Sequence, residues 1–152
     1  MRQEITLTYQ KYNSLQELDN QDLELVDKAL LSAQNAYAPY SNFRVGAAAR
    51  LSNGEIICAN NQECAAYPSG ICAERNLLYY IGANFSEEKV KTVAIISPTS
   101  DDECYPCGAC REVIADFQAR QGSPIRIIMA SPTSASIVSK AEDLLPLRFK
   151  LK

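Results

Sequence analysis

No histidine occurs among the 152 residues. Its absence excludes an imidazole general base, and it leaves sulfur and carboxylate as the side chains from which a metal site can be built. Excess positive charge is missing too: 15 Lys and Arg face 18 Asp and Glu, for a net charge of −3 and a sequence pI near 5.0. A protein that grips a phosphate backbone needs a basic face, so nucleic acid is not an expected partner, and a small neutral or cationic ligand fits better. No apolar run approaches the roughly 20 residues that span a bilayer, so no membrane partner is expected. The first residues also lack the basic-then-apolar pattern of a secretory signal, which points to a cytoplasmic protein.

What is present is an ordinary globular balance, 47% hydrophobic and 22% charged, in a length that suits one domain with a sizeable core over 1–152. The six cysteines lie in a chain with no extracellular signature and are not read as a disulfide framework. Residues 1–20 are set apart: Met1 to Ser14 alternates weakly through Ile5, Leu7 and Tyr9, as a short strand or an extended arm. Leu23, Val26, Leu30, Ala33 and Tyr37 recur at helical spacing, with Asn20 or Asp19 as cap and Pro39 as the stop. Phe43 to Leu51 reads as a strand, Ser52-Asn53-Gly54 as a hairpin turn and Glu55 to Ala59 as the partner strand. Helix-like runs cover Cys72 to Ile81, ending near Gly82, and Cys107 to Arg120. Apolar strands are expected at Val90 to Ser97, Ile125 to Ala130 and Ser136 to Ser139, the last pair antiparallel because its link is too short for a crossover. A helical turn at Ala141 to Leu145 precedes Pro146. The expected fold is α/β, a three-layer α/β/α sandwich around a mixed sheet of about five strands.

Two stretches organise the chain: Cys72-Ala73-Glu74-Arg75 and Pro106-Cys107-Gly108-Ala109-Cys110-Arg111. Cys72, Cys107 and Cys110 can meet as thiolates on one zinc ion and leave a fourth tetrahedral position open to water. Both clusters stand at helix starts, where partial positive charge favours the thiolate. Arg75 and Arg111 follow their cysteines by three and four residues, so either guanidinium can donate to a ligand sulfur and drain negative charge from the site. Glu74 cannot ligate well from the same turn as Cys72, but it can lie beside a zinc-bound water and carry protons. Asn61 and Glu63, two apart in an extended segment, point the same way; they either grip a sugar hydroxyl or form a solvated turn.

Cys-Ala-Glu followed by Pro-Cys-x-x-Cys resembles the zinc-dependent nucleobase deaminases. The fuller wording, with the upstream Asn-x-Glu, resembles the homotetrameric cytidine deaminases, from about Leu23 to Phe149. The resemblance implies hydrolytic deamination of cytidine and deoxycytidine to uridine and deoxyuridine in pyrimidine salvage. One zinc per chain would lower the pKa of its water. Glu74 would take a proton from that water, protonate ring N3 as C4 is attacked, and then serve the leaving ammonia. It also implies that Asn61 and Glu63 hold the ribose, that Phe43 packs on the pyrimidine ring, and that the Ala73 N–H binds the 2-oxygen. The Tyr105 carbonyl would accept from the 4-amino group. Phe149, Ala65 and Tyr67 match positions that reach into a neighbouring subunit's site. Cys64, Tyr105 and Glu112 depart from common family residues.

Three other readings compete. A thiol–disulfide oxidoreductase would use Cys104-Tyr105-Pro106-Cys107, but leaves Cys72, Glu74 and the Asn61/Glu63 pair idle. A structural zinc module would close its site with a fourth protein ligand, for which Cys104 is the candidate. A blasticidin-S-type deaminase shares the metal motif, though not as a rule the Asn-x-Glu.

Overall fold

The alternation of Val93 and Ile95 against Ala94 and Ile96 splits one strand between two cores. In the computed structural model, which describes residues 1–151, that strand is β4 (Val90–Ile96), near the middle of a six-stranded sheet. The others are β1 (Gln10–Tyr12), β2 (Gly46–Leu51), β3 (Ile56–Asn60), β5 (Arg126–Ala130) and β6 (Ala135–Val138), in the order β1-β6-β5-β4-β2-β3. β4 and β5 are parallel, and every other neighbouring pair is antiparallel.

Helix α1 (Asn20–Ala33) covers one face, burying Leu25, Val26 and Ala29 against Ala48, Ala94, Ile96, Ile128 and Ala130. Helices α2 (Ala73–Asn84) and α3 (Gly108–Gln121) cover the other, where Leu77, Ile81, Ile114 and Phe117 meet Val93, Ile95 and Ile127. The result is the expected three-layer α/β/α sandwich. α1 starts at an Asp19 cap whose carboxylate accepts the Asp22 N–H at 2.8 Å. Asp22 and Arg126 form a bidentate pair, with Nη1–Oδ1 at 2.6 Å, that fastens the first turn of α1 to β5. Gly46 allows the close approach of α1 to β2: a Cβ there would lie 1.8 Å from the Ala29 carbonyl oxygen.

Four details differ from the expected elements. The sheet has a sixth strand because the N-terminal arm pairs with β6 through Gln10, Lys11 and Tyr12. The first helix ends at Ala33, well before Pro39, because Tyr37 is drawn away: its N–H donates to the Asn61 carbonyl and its carbonyl accepts from the Glu63 N–H. Gly82 lies inside α2 rather than at its end; it marks the crossing with α3, where a Cβ would come 3.2 Å from Phe117 Cζ. Strand β2 also begins at Gly46, leaving Phe43 in the irregular segment before it.

Candidate active site

Cys72 is the N-cap of α2 and Cys107 the N-cap of α3, while Cys110 sits in the first turn of α3. Neither cap thiol is spent on its own helix. Two helix N-termini therefore meet at one cluster, and both favour negative charge there. The three sulfurs lie within 4.8 Å of one another, with Cys72 and Cys107 Sγ 3.9 Å apart. Zinc–sulfur bonds of about 2.3 Å in a tetrahedron put ligand sulfurs roughly 3.8 Å apart, so the cluster already has the size of a zinc site. Hydrogen bonding from Cys110, helped by Arg75, pushes the Cys72 thiol down to about 5, while the same contact pushes Cys110 up. One sulfur is thus poised as a thiolate without metal, and a dication would draw the protons from the others.

Arg75 Nη2 lies 3.5 Å from Cys72 Sγ, as the three-residue spacing predicts. Arg111 behaves differently. Its Nε donates to the Pro106 carbonyl at 2.8 Å and its Nη1 to the Leu144 carbonyl at 3.0 Å, so it clasps the α3 entry loop to the C-terminal turn. The expected donation from Arg111 to a ligand sulfur is thus corrected, because the free loop carbonyls take its guanidinium. Glu74 is 4% exposed, and burial pushes its carboxyl up to about 7, with the Cys72 thiolate adding to the rise. A carboxyl in that range can both accept and release a proton near neutral pH.

Cys104 does not join the metal-sized cluster among the described residues. It is buried, and burial pushes its thiol up to about 12, which does not suit a redox nucleophile.

Beside the sulfurs opens a cavity of about 450 Å³, lined among others by Asn61, Glu63, Cys64, Tyr67, Cys72 and Arg75. Glu63 Oε1 accepts the backbone N–H groups of Tyr40 (3.0 Å) and Ser41 (3.2 Å). Hydrogen bonding from the Ser41 side chain and these amides holds its carboxyl below the usual carboxylate range. The Asn61 side chain is more committed: Oδ1 accepts from the Val45 N–H at 2.8 Å and Nδ2 donates to the Phe43 carbonyl at 2.9 Å. One Nδ2–H remains to reach the cavity.

The structure therefore gathers Cys72, Cys107, Cys110, Glu74 and Arg75 at one point, with Asn61, Glu63 and Tyr67 around the adjoining cavity. Ala73 is buried in the first turn of α2, beside Cys72. Phe43 is half-exposed and outside the cavity lining, and Ala65 is exposed on the loop. Tyr105 faces a second cavity of about 240 Å³, shared with Leu7, Tyr9 and Arg111. Phe149 projects from the C-terminal tail, 70% exposed. The sequence reading missed the Tyr40–Ser41 amides as the seat of Glu63. The signal was the Pro39-Tyr40-Ser41-Asn42 turn, where Asn42 has a left-handed φ of 56°.

Comparison with known proteins matches residues 19–122 to the cytidine and deoxycytidylate deaminase zinc-binding region. A probable cytidine deaminase of Dictyostelium discoideum is 32% identical over 130 residues, covering 85% of this chain and 84% of that protein. A blasticidin-S deaminase of Bacillus cereus is 30% identical over 138 residues, covering 87% and 94%. The crystal structure of cytidine deaminase from Burkholderia pseudomallei superposes with a TM-score of 0.73 at 32% identity, over 83% of this chain and 97% of that one.

Proposed function

The chain belongs to the cytidine and deoxycytidylate deaminase family of zinc-dependent hydrolases, and from that premise we propose that it deaminates cytidine and 2′-deoxycytidine to uridine and 2′-deoxyuridine, releasing ammonia. The observation that carries the reading is the pairing of a buried carboxyl, Glu74, with a zinc-sized cluster of three thiols, of which Cys72 lines a cavity shared with Asn61 and Glu63.

Cys72, Cys107 and Cys110 are the zinc ligands, and Arg75 offsets their charge at Cys72. When bound, zinc supplies Lewis acidity that brings the pKa of a water toward neutrality. Glu74 accepts the proton that the attacking water gives up and delivers it to ring N3 as C4 is attacked. The same carboxyl then takes the remaining proton of the hydroxyl added at C4 as the carbonyl forms there, and passes it to the 4-amino group, which leaves as ammonia. One group serves both transfers, which suits a chain with no histidine. Glu63, with Oε1 held by two amides, keeps Oε2 for a ribose hydroxyl. The free Nδ2–H of Asn61 serves the same sugar. The Ala73 N–H at the α2 N-terminus binds the 2-oxygen of the base, the Tyr105 carbonyl accepts from its 4-amino group, and Phe43 lies on its ring.

The reading extends to a single domain over 1–152, to the cytoplasm, where six free thiols would stay reduced, and to a homotetramer in which Phe149, Ala65 and Tyr67 complete a neighbour's site. No helix of the described residues is long and apolar enough to cross a membrane. The similarity to a blasticidin-S deaminase favours a second reading, in which that nucleoside antibiotic is the substrate. Loss of ultraviolet absorbance on adding the purified zinc protein to cytidine, deoxycytidine, cytosine and blasticidin S separates the two. Turnover of the two pyrimidine nucleosides is expected. Turnover of blasticidin S alone would transfer the assignment, and no turnover of any would remove it.

A further inference from the structure

We propose that the N-terminal arm acts as a positioning element for the loop that reads the base, through an ion pair between Lys11 and Glu103. The proposal rests on the assignment of the Tyr105 carbonyl to the base's 4-amino group.

Strand β1 runs along the edge of the sheet with Lys11 opposite Ser136. From there Lys11 Nζ donates to Glu103 Oε1, and the Glu103 side chain is only 3% exposed. The same oxygen accepts from Ser134 Oγ at 2.8 Å, while Oε2 accepts the Tyr105 hydroxyl at 3.1 Å. One residue on, the Cys104 N–H donates to the carbonyl of Ala130, the last residue of β5, at 3.0 Å. Glu103 is thus a buried junction that joins the arm, the β5–β6 turn and the residue two positions before the metal ligand Cys107.

A carboxylate this deeply buried is tolerated because a cation and two hydroxyls satisfy it. Without Lys11 the group must turn toward water or take up a proton, and either change releases the Tyr105 hydroxyl. The disturbance reaches the Tyr105 main chain first. It is damped before Cys107, because Pro106 is stiff and its carbonyl is pinned by Arg111 at 2.8 Å. Base recognition should therefore loosen while the metal cluster stays intact. Lys11 is nearly half-exposed and does not line the cavity beside the sulfurs, so it acts through Tyr105 and touches no reacting atom.

The test compares Lys11→Met, Lys11→Arg and Glu103→Gln with the wild-type zinc enzyme. Lys11→Met keeps the test available if Glu103→Gln fails to fold. Each protein is measured for zinc content, for kcat and KM on cytidine, and for competitive inhibition by uridine, which has no 4-amino N–H to give to the Tyr105 carbonyl. Lys11→Met and Glu103→Gln should raise the cytidine KM by about three- to tenfold, as expected for weakening one hydrogen bond, with zinc, kcat and the uridine inhibition constant held within about twofold. Lys11→Arg should restore the cytidine KM. An unchanged KM in Lys11→Met, or a parallel rise in the cytidine KM and the uridine constant, would overturn the proposal. Wild-type protein with no turnover of cytidine would overturn the deaminase reading and this inference with it, whereas an active wild type with indifferent variants overturns this inference alone.

Discussion

Asn61 is bound to Val45 twice, its Oδ1 accepting the Val45 N–H at 2.8 Å and its own N–H donating to the Val45 carbonyl at 3.2 Å. With Nδ2 on the Phe43 carbonyl, one side chain fixes the segment that enters β2 and carries Phe43. Asn61→Asp would aim a carboxylate at that carbonyl, and Asn61→Ala would leave buried backbone groups unpaired. Both should lose about 1–3 kcal/mol of stability in urea unfolding and also raise the KM for cytidine. Full stability in Asn61→Ala would show that these bonds contribute nothing to the fold.

Much of this site was legible because its logic is local. Cys72 caps α2, Cys107 caps α3 and Cys110 lies in the first turn of α3, positions set by spacing along helices, so the gathering of Cys72, Cys107, Cys110, Glu74 and Arg75 could be read from the sequence. Residues whose partners lie far along the chain were harder. Arg111 was expected at a ligand sulfur, and only the fold brings in the Leu144 carbonyl, 33 positions away. Nothing in the sequence singles out Glu103, because its partner Lys11 is 92 positions distant. The early end of α1 has the same origin, since Tyr37 pairs with Asn61 and Glu63 instead of continuing the helix. Helical periodicity persists past Ala33, but long-range backbone bonding overrides it.

The metal ligands predict a clear analytical result. Wild-type protein should carry about one zinc per chain, and Cys72→Ala, Cys107→Ala or Cys110→Ala should lose most of it. Cys58→Ala should keep it, since Cys58 is exposed on β3 and outside the cluster. Zinc at full occupancy after Cys107→Ala would rule out the three-sulfur assignment.

Glu74→Gln preserves shape and removes the proton. It should retain zinc and fold while kcat falls by roughly a hundredfold or more, the usual scale for losing an acid–base group. A dication on the sulfurs would offset the Cys72 contribution to the raised Glu74 pKa and leave the effect of burial. Near wild-type turnover in Glu74→Gln would assign the proton transfers elsewhere.

Glu103 predicts how stability follows pH. Burial pushes its carboxyl up, but hydrogen bonds from Lys11 and Ser134 push it down further, and it lies below the ordinary carboxylate value. A group whose pKa is lower in the folded state binds fewer protons there than in the unfolded chain. Its stabilisation is therefore complete above the unfolded value of about 4.3 and is lost as pH falls through the lower folded value. Glu103→Gln should melt below wild type at pH 7, and the gap should narrow in acid. A gap independent of pH between neutrality and strong acid would show that the charge of Glu103 does not contribute.

The C-terminal tail leads to the prediction about assembly. It leaves the body of the protein at Leu147, whose φ of 56° lies in the left-handed region and turns the chain outward. Beyond that turn Phe149 is 70% exposed and Leu151 89% exposed, while Tyr67 at the cavity is 75% exposed. Apolar side chains left in water at both places are what a site completed by a second copy of the chain would show. Burying an aromatic ring contributes on the order of 1.5–3 kcal/mol, equivalent to about a tenfold or larger change in binding. A closed symmetric assembly lets every copy give one tail and receive another. Phe149→Ala should accordingly raise the KM for cytidine by about tenfold and loosen the oligomer, with zinc still bound, in parallel sedimentation and kinetic measurements across protein concentration. A fully active wild-type monomer that is indifferent to Phe149→Ala would show instead that each site is complete within one chain.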